Sequence, residues 1–390
     1  MMKEVNEIIG KVSIFPSTDI KVGSRVRLVI SYIVGKRGID IGGKVKIVIQ
    51  TASWTPPQLA NWQHWNEPAN TSVTLTTEGK GSISTEIISV LGHYWVMLIT
   101  INQAPLRKND KITIVYGDRR WGSSGIMVQP FPQRDFLLKI LVDPEGKGDY
   151  VQLPTSPLLN IVSGQVSQLL ITTPSIVKVG YPFHFSVVPV DKFRNLPEDA
   201  YTGNVDFQEI DKDRISLPGS YIFKTKDKNK KIFTGICKAE GIYRIKVGEG
   251  NSIKGISNPI WSKKKVKENI YWGDIHGHSR LSLSDGWKDL DTDGIATVDE
   301  YYSYGRDVAN LDICALTDHE ACVREENLNI DKWVMIQEKA EEYYNPKVNP
   351  KDVEESAIKA AKVVGDKDVL ILGDPGPLSI KFLKTYRQNN

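Results

Sequence analysis

Two histidines one residue apart, His276 and His278, end the segment Tyr271-Trp272-Gly273-Asp274-Ile275-His276-Gly277-His278. On a strand, residues i and i+2 point to the same face, so both imidazoles look one way. Neutral imidazole ligates zinc, manganese and iron, and such a pair can hold a divalent transition metal. Two surface histidines at a strand end fit the same spacing. Further along, Leu311-Asp-Ile-Cys-Ala-Leu-Thr317 is a near-continuous apolar run, as expected of a strand covered on both faces. It ends in Asp318-His319-Glu320, a second cluster of ligand-type side chains.

A second constellation lies between these segments. Asp289, Asp291, Asp293, Gly294 and Glu300 fit D-x-D-x-D-G-x5-E, the spacing of an EF-hand calcium loop. Oxygen ligands would come from Asp289, Asp291, Asp293, the Ile295 carbonyl and a bidentate Glu300, with Gly294 at the sharp turn. Three aspartates packed this closely need Ca2+ or full solvation to relieve their repulsion. The alternative is an acidic, solvated turn before a capped helix.

The elements that must position these groups can be read from periodicity. Thr297 and Glu300 form a capping box. Tyr301, Tyr304, Val308 and Leu311 follow near helical spacing. The order is therefore strand, helix, strand, with the polar clusters at the carboxyl ends of both strands, where βα enzymes place their sites.

Upstream the pattern is different. Short runs with period two lie between turn residues: Val26, Leu28 and Ile30; Val45, Ile47 and Ile49; Tyr94, Val96, Leu98 and Thr100; Ile112, Ile114 and Tyr116. They predict a β-sandwich-like domain over residues 1–160. Phe183, Phe185 and Val187, then Tyr243, Ile245 and Val247, predict an immunoglobulin-like sandwich over 161–260. Trp54, Trp62, His64 and Trp65 crowd one stretch, which is either a ligand platform or a loop that caps a sandwich. Gly117 to Gly125 is a Gly/Ser loop without P-loop spacing. Lys224, Lys226, Lys228, Lys230 and Lys231 predict a solvated hairpin tip, and Trp261 to Glu268 a charged linker.

The combined motifs carry a resemblance. Tyr-Trp-Gly-Asp-Ile-His-Gly-His-Ser from Tyr271, Ser284-Asp285-Gly286, Asp299-Glu-Tyr-Tyr, Arg306-Asp307-Val308-Ala309 and Ala315-Leu-Thr-Asp-His319 resemble the PHP (polymerase and histidinol phosphatase) superfamily, and within it the family called DUF3604. Asp110 to Asp118 and Phe136 to Asp143 resemble the β-rich amino-terminal part of that family. The resemblance implies a distorted βα barrel holding divalent metals such as Zn, Mn or Fe, and hydrolysis of phosphate esters. It implies that His276, His278 and His319 ligate metal and that Asp285 ligates a further one. Asp318 is then a ligand or an orienter. Asp274 orients an imidazole, since a metal-bound histidine donates its other N–H to a carboxylate or carbonyl. The chain from Lys267 to Asn390 is shorter than the roughly 200 residues of a full barrel. The expected fold is thus multidomain α+β: two β-sandwich-like domains, then residues 261–390 as the N-terminal part of an incomplete PHP-type βα barrel.

The expected function is that of a metal-dependent hydrolase, a phosphoesterase using metal-activated water on a small-molecule substrate. The alternative is a non-catalytic, metal-binding β-sandwich interaction protein. Lys+Arg 50 against Asp+Glu 47 gives net charge +3, too little to argue for nucleic acid or an anionic membrane surface. Three cysteines without a Cys-x-x-Cys pair make neither a disulfide framework nor a zinc ribbon. No apolar run reaches the ~20 residues of a membrane span, and Met1 to Glu7 lacks the apolar stretch of a signal peptide. A cytoplasmic location is the resulting expectation. A short barrel would expose strand edges and apolar faces, which predicts self-association.

The calcium reading has a direct outcome. Calcium should raise the melting temperature, and the double substitution Asp291→Ala/Asp293→Ala should abolish that rise. An unchanged response in the double variant would place the ion elsewhere.

Overall fold

A computed structural model describes residues 2–49, 53–59, 71–90, 94–120, 122–208, 213–250, 253–274, 276–280, 296–316, 318, 338–339 and 342. The chain divides into two compact units, Met1–Gly164 and Gln165–Asn390.

The first unit carries two five-stranded sheets. One runs in spatial order Gly10–Phe15, Leu28–Val34, Lys111–Tyr116, Thr71–Glu78, Pro57–Leu59. The other runs Val151–Gln152, Lys139–Asp143, Lys44–Ile49, Tyr94–Asn102, Ser82–Val90. Pairing is antiparallel except that Pro57–Leu59 runs parallel to its neighbour. Period-two burial explains the first sheet. Leu28, Ile30 and Tyr32 stand opposite Tyr116, Ile114 and Ile112, and all six are buried. In Tyr94–Asn102 the expected inward set was Tyr94, Val96, Leu98 and Thr100, but the opposite phase is apolar as well, and Leu98 and Thr100 stay half-buried. The structure buries Met97, Ile99 and Ile101, with Met97 opposite Ile47 and Ile99 opposite Val45.

Trp54 is a packing residue. Its ring is fully buried, 4.8 Å from that of Phe136 and 6.3 Å from that of Tyr116, and its Nε1–H donates to Gln129 Oε1 at 2.9 Å. Trp62, His64 and Trp65 lie outside the described residues. The Gly117–Gly125 loop is built around a buried carboxylate. Asp118 accepts from Thr74 Oγ1 at 2.6 Å and from the backbone N–H and guanidinium of Arg120. Gly117, at φ +82°, turns the chain where a Cβ would lie 2.7 Å from the Val26 carbonyl oxygen.

The second unit holds an eight-stranded sheet. Its order is Ile215–Ser216, Lys231–Cys237, Pro182–Val190, Gln168–Thr172, Ile253–Ile256, Lys246–Glu249, Asn204–Gln208, Ser220–Ile222. Phe185 and Phe207 stand four strands apart in that order. At about 4.8 Å per strand a flat sheet would separate them by roughly 19 Å. Their rings are 5.8 Å apart, so the sheet rolls over and packs on itself. Phe183, Phe223, Phe233 and Val247 share that core. Ile176–Lys178, Ile260–Lys263 and Gly241–Tyr243 form a further three-stranded sheet. The expected charged linker therefore begins as a central strand. Ile260 and Ser262 are buried while Trp261 and Lys263 face outward, an alternation that the run of lysines hides.

The remaining described segment returns to this sandwich. Val298–Tyr304 is an α-helix that continues as a π-helical turn, Gly305–Ala309, and closes on Asn310 in the left-handed region. The buried stripe is Val298, Tyr302, Gly305 and Val308, so Tyr302 faces inward where the expected spacing placed Tyr301 and Tyr304, and Val308 keeps its expected place. Val308 packs with Val188 and Val190 of the sandwich. Lys230 leaves the basic run to reach this turn. Its Nζ donates to the Arg306 carbonyl oxygen at 2.7 Å and stands 3.6 Å from Asp307. The basic run is thus not wholly solvated: Lys230 neutralises a helix C-terminus, where a cation is favoured.

The βα barrel and the α+β class are corrected by this architecture. Among the described residues the protein is nearly all β, and its α-helices there, Met2–Ile8 and Val298–Tyr304, have seven residues each. Parallel strands joined by a helix occur, among the described residues, as one two-residue pair, Gly273–Asp274 with Ile313–Cys314. A barrel needs such a unit repeated around a closed ring, each strand flanked by parallel neighbours. The strand–helix–strand order expected from the sequence is present as Gly273–Asp274, Val298–Tyr304 and Ile313–Cys314.

Burial alone would raise the pKa of Asp118, but the bonds from Arg120 and Thr74 outweigh it and lower it to about 2. The ordinary value is near 4. Its contribution to stability is therefore full above about pH 4 and is lost as pH falls toward 2. Asp118→Asn should lower the urea midpoint at neutral pH and flatten that acid limb. Equal acid limbs in the two proteins would overturn this account.

Candidate functional site

The parallel pair brings the two ligand-rich segments together. Asp312 and Ile313 donate their N–H groups to the Trp272 carbonyl, and Ala315 donates to the Asp274 carbonyl at 2.9 Å. The Asp312 carboxylate in turn accepts from Trp272 N–H at 2.8 Å. Burial pushes the pKa of Asp312 up, and the Trp272 N–H opposes the rise. The Trp272 indole N–H donates to Ser175 Oγ at 2.9 Å, tying this strand to the sandwich.

His276 and His278 follow directly. Their rings lie 5.2 Å apart between centroids and nearly perpendicular. His276 is exposed and His278 half-buried. The Asp274 carboxylate turns back to accept from His276 N–H at 3.2 Å, which fixes the backbone under the first imidazole. Between the histidines, Gly277 sits against the Tyr301 ring. A Cβ there would fall 2.5 Å from ring carbon and hydroxyl oxygen alike. Tyr301 donates its hydroxyl to the Ala315 carbonyl at 3.0 Å, and burial first, then Cys314 and Asp274, push its pKa up. A neutral tyrosine thus joins the helix, the second strand and the histidine loop.

Asp318 lies four residues beyond the second strand, which spans only Ile313–Cys314 where a longer strand covered on both faces was expected, and both its residues are half-buried. One carboxylate oxygen accepts from Ser279 N–H and the other from Ser279 Oγ, both at 2.6 Å. Ser279 is buried, and it bridges in parallel to Ala296, just before the helix. Asp318 therefore clamps the residue after His278, and each of its oxygens retains a lone pair for a further partner. Glu300 is turned inward on its own helix. Its Oε2 accepts from Thr297 N–H at 2.7 Å while Thr297 Oγ1 accepts from Glu300 N–H at 3.1 Å, the reciprocal capping box expected from the spacing.

Asp274 and Asp318 thus hold the backbone on either side of the His276–His278 pair. Asp285, Asp289, Asp291, Asp293 and His319 lie outside the described residues. The donor chemistry fits a divalent transition metal, and two imidazoles are part of the three or four protein ligands such an ion takes. Among the described residues no group of three or more ligating side chains converges. The structure adds Ser279 and Tyr301 to the site. Ser279 follows the histidine pair directly, the one signal the sequence offered. Tyr301 reads in sequence as an ordinary core position.

No protein-family model matches the sequence, and none of the curated proteins matches it. Among solved structures, the D00-D0 domain of intimin is similar over 65% of this chain and 99% of its own, with 12% identity and a TM-score of 0.27. InvD of Yersinia pseudotuberculosis is similar over 67% of this chain and 60% of its own, with 9% identity and a TM-score of 0.23. An ICAM-5 D1-D4 ectodomain fragment is similar over 71% of this chain and 58% of its own, with 12% identity and a TM-score of 0.23. These likenesses are too distant to bear on what the chain does. No helix among the described residues is long and apolar enough to cross a membrane.

The fit of Gly277 against Tyr301 is testable. Gly277→Ala should lower stability by about 1–3 kcal/mol in urea titrations, the usual cost of overpacking. The double variant Gly277→Ala/Tyr301→Ala should lose less than the sum of the two single changes. Strict additivity would mean that the two residues do not press on each other.

Proposed function

We propose that this chain is a metal-dependent hydrolase in which His276 and His278 hold a divalent transition metal. The reading rests on one observation: two imidazoles lie 5.2 Å apart beyond the end of a parallel strand whose partner strand delivers Asp318 to the adjoining Ser279. His319 and Asp285 are the residues proposed to complete the ligand set. A bound metal would supply a lowered pKa for a coordinated water and charge neutralisation on phosphoryl oxygens. The chain's own part is positioning. Asp274 and Tyr301 fix the histidine loop from below, and Asp318 fixes its far end through Ser279. The proposed substrate is a small phosphate ester.

A second reading is a non-catalytic, metal-binding β-sandwich interaction protein. What favours it is that the described residues bring two imidazoles together without a third ligating side chain.

Elemental analysis of the purified chain beside the His276→Ala/His278→Ala variant separates these readings. The hydrolase reading expects bound manganese, iron or zinc that the variant loses. It also expects manganese-dependent cleavage of p-nitrophenyl phosphate or bis-p-nitrophenyl phosphate, falling at least a hundredfold in the variant. Metal without cleavage would leave the second reading standing. Cleavage that survives the double substitution would overturn the assignment of the site.

A further inference from the structure

The small sheet of the second unit has an outer face that the proposed hydrolysis does not use. Trp261 stands on its central strand, with Ile176 and Ile242 as its cross-strand neighbours. Trp261 is 49% exposed and Ile242 72%. An apolar row centred on an exposed tryptophan is uncommon on a solvated sheet and typical of a contact surface. Beside it runs an open groove of about 460 Å³, between Glu240–Gly241 and Trp261–Lys265.

The charge of this groove is one-sided. Lys263, Lys264 and Lys265 line it against one carboxylate, Glu240, which Lys264 engages at 3.3 Å. Lys263 rests its Nζ 3.3 Å from the centre of the Trp261 ring. Lys178, opposite Lys263 on the adjoining strand, lies 4.1 Å from the centre of the Tyr181 ring. These two cations are held by aromatic faces, which orient a cation without cancelling its charge. The third feature is an edge. Gly241–Tyr243 is the outermost strand of this sheet, and a sheet edge presents unpaired backbone groups to an incoming strand.

We infer that this face binds an extended acidic peptide segment, added beside Gly241–Tyr243, with an aliphatic side chain on Trp261 and Ile242 and carboxylates on Lys263 and Lys265. The open edge favours a peptide over a lipid surface, because lipid has no backbone to pair with it. Charge complementarity favours an acidic segment over a neutral one.

Binding of a fluorescein-labelled Glu-Ile-Glu-Val-Glu-Ile peptide to the full chain, read by fluorescence anisotropy, tests this. The expected result is saturable binding that weakens about tenfold in Lys263→Glu/Lys265→Glu and about tenfold in Trp261→Ser. A Lys-Ile-Lys-Val-Lys-Ile peptide should not bind. N-methylation of alternate peptide nitrogens on the strand-pairing side should abolish binding, whereas pure charge attraction would survive it. An unchanged melting temperature in Lys263→Glu/Lys265→Glu shows that the lost binding is local. No binding of the acidic peptide, equal binding by the charge-reversed variant, or survival of N-methylation would each overturn the inference. So would sedimentation with phosphatidylserine vesicles in place of peptide binding, or dimerisation through this face that Trp261→Ser abolishes.

Discussion

Phe207 meets Phe233 at 4.8 Å and Phe185 at 5.8 Å between ring centres, both edge-on. This contact requires the eight-stranded sheet to roll until strands far apart in hydrogen-bonding order become neighbours through their side chains. Each such ring buries 150–250 Å² on average, and edge-to-face geometry adds to that gain. The rolled sheet then has an inner face filled with aromatics and an outer face available to other segments. Val188 and Val190 support Val308 of the π-helical turn, in a cluster separate from the aromatic core. The strand holding the histidine loop is thereby placed by a sandwich whose own core it never enters.

Buried carboxylates do similar work at the loops. Asp143 accepts from the backbone N–H groups of Glu145, Gly146, Lys147 and Gly148. Asp191 accepts from Phe193 and Asn195 N–H and from the Asn195 amide. Each collects donors that a tight turn leaves unpaired, and a buried charge is tolerable when several N–H groups surround it. Asp318 applies the same device to Ser279. Its geometry matches structural carboxylates elsewhere in the chain.

Much of the β structure was legible because one strand face is wet. Leu28, Ile30 and Tyr32 announce their phase, as does the Thr297–Glu300 box that opens the helix. Legibility failed where local pattern gave no contrast. Tyr94–Asn102 is apolar on both faces, so its neighbour decided its phase. Lys230 looks like its neighbouring lysines, and only a segment far along the chain gives it Arg306 and Asp307 as partners. Tyr301, Tyr302 and Tyr304 are alike in type, and only packing selects Tyr302 as the buried one. The His-x-His spacing and Asp318 were read from sequence alone. Ser279 was legible only as the next residue, and Tyr301 as a helix residue without a partner. The barrel was an extension of one strand–helix–strand unit, and a single unit cannot say how many copies surround it.

The docking of Val308 and Lys230 has a consequence for energetics. Gly273–Asp274 and Ile313–Cys314 pair over two residues each, too little to persist alone in water. Their order is borrowed from the sandwich, so the two regions share one free-energy balance. An ion that favours the ordered histidine loop must also favour the docked helix and the sheet face beneath it, by mass action. Under the proposed metal binding, loosening that sheet face would likewise weaken the ion's affinity without touching the imidazoles. An ion held as proposed would then report on the packing of the sandwich as much as on the histidine pair.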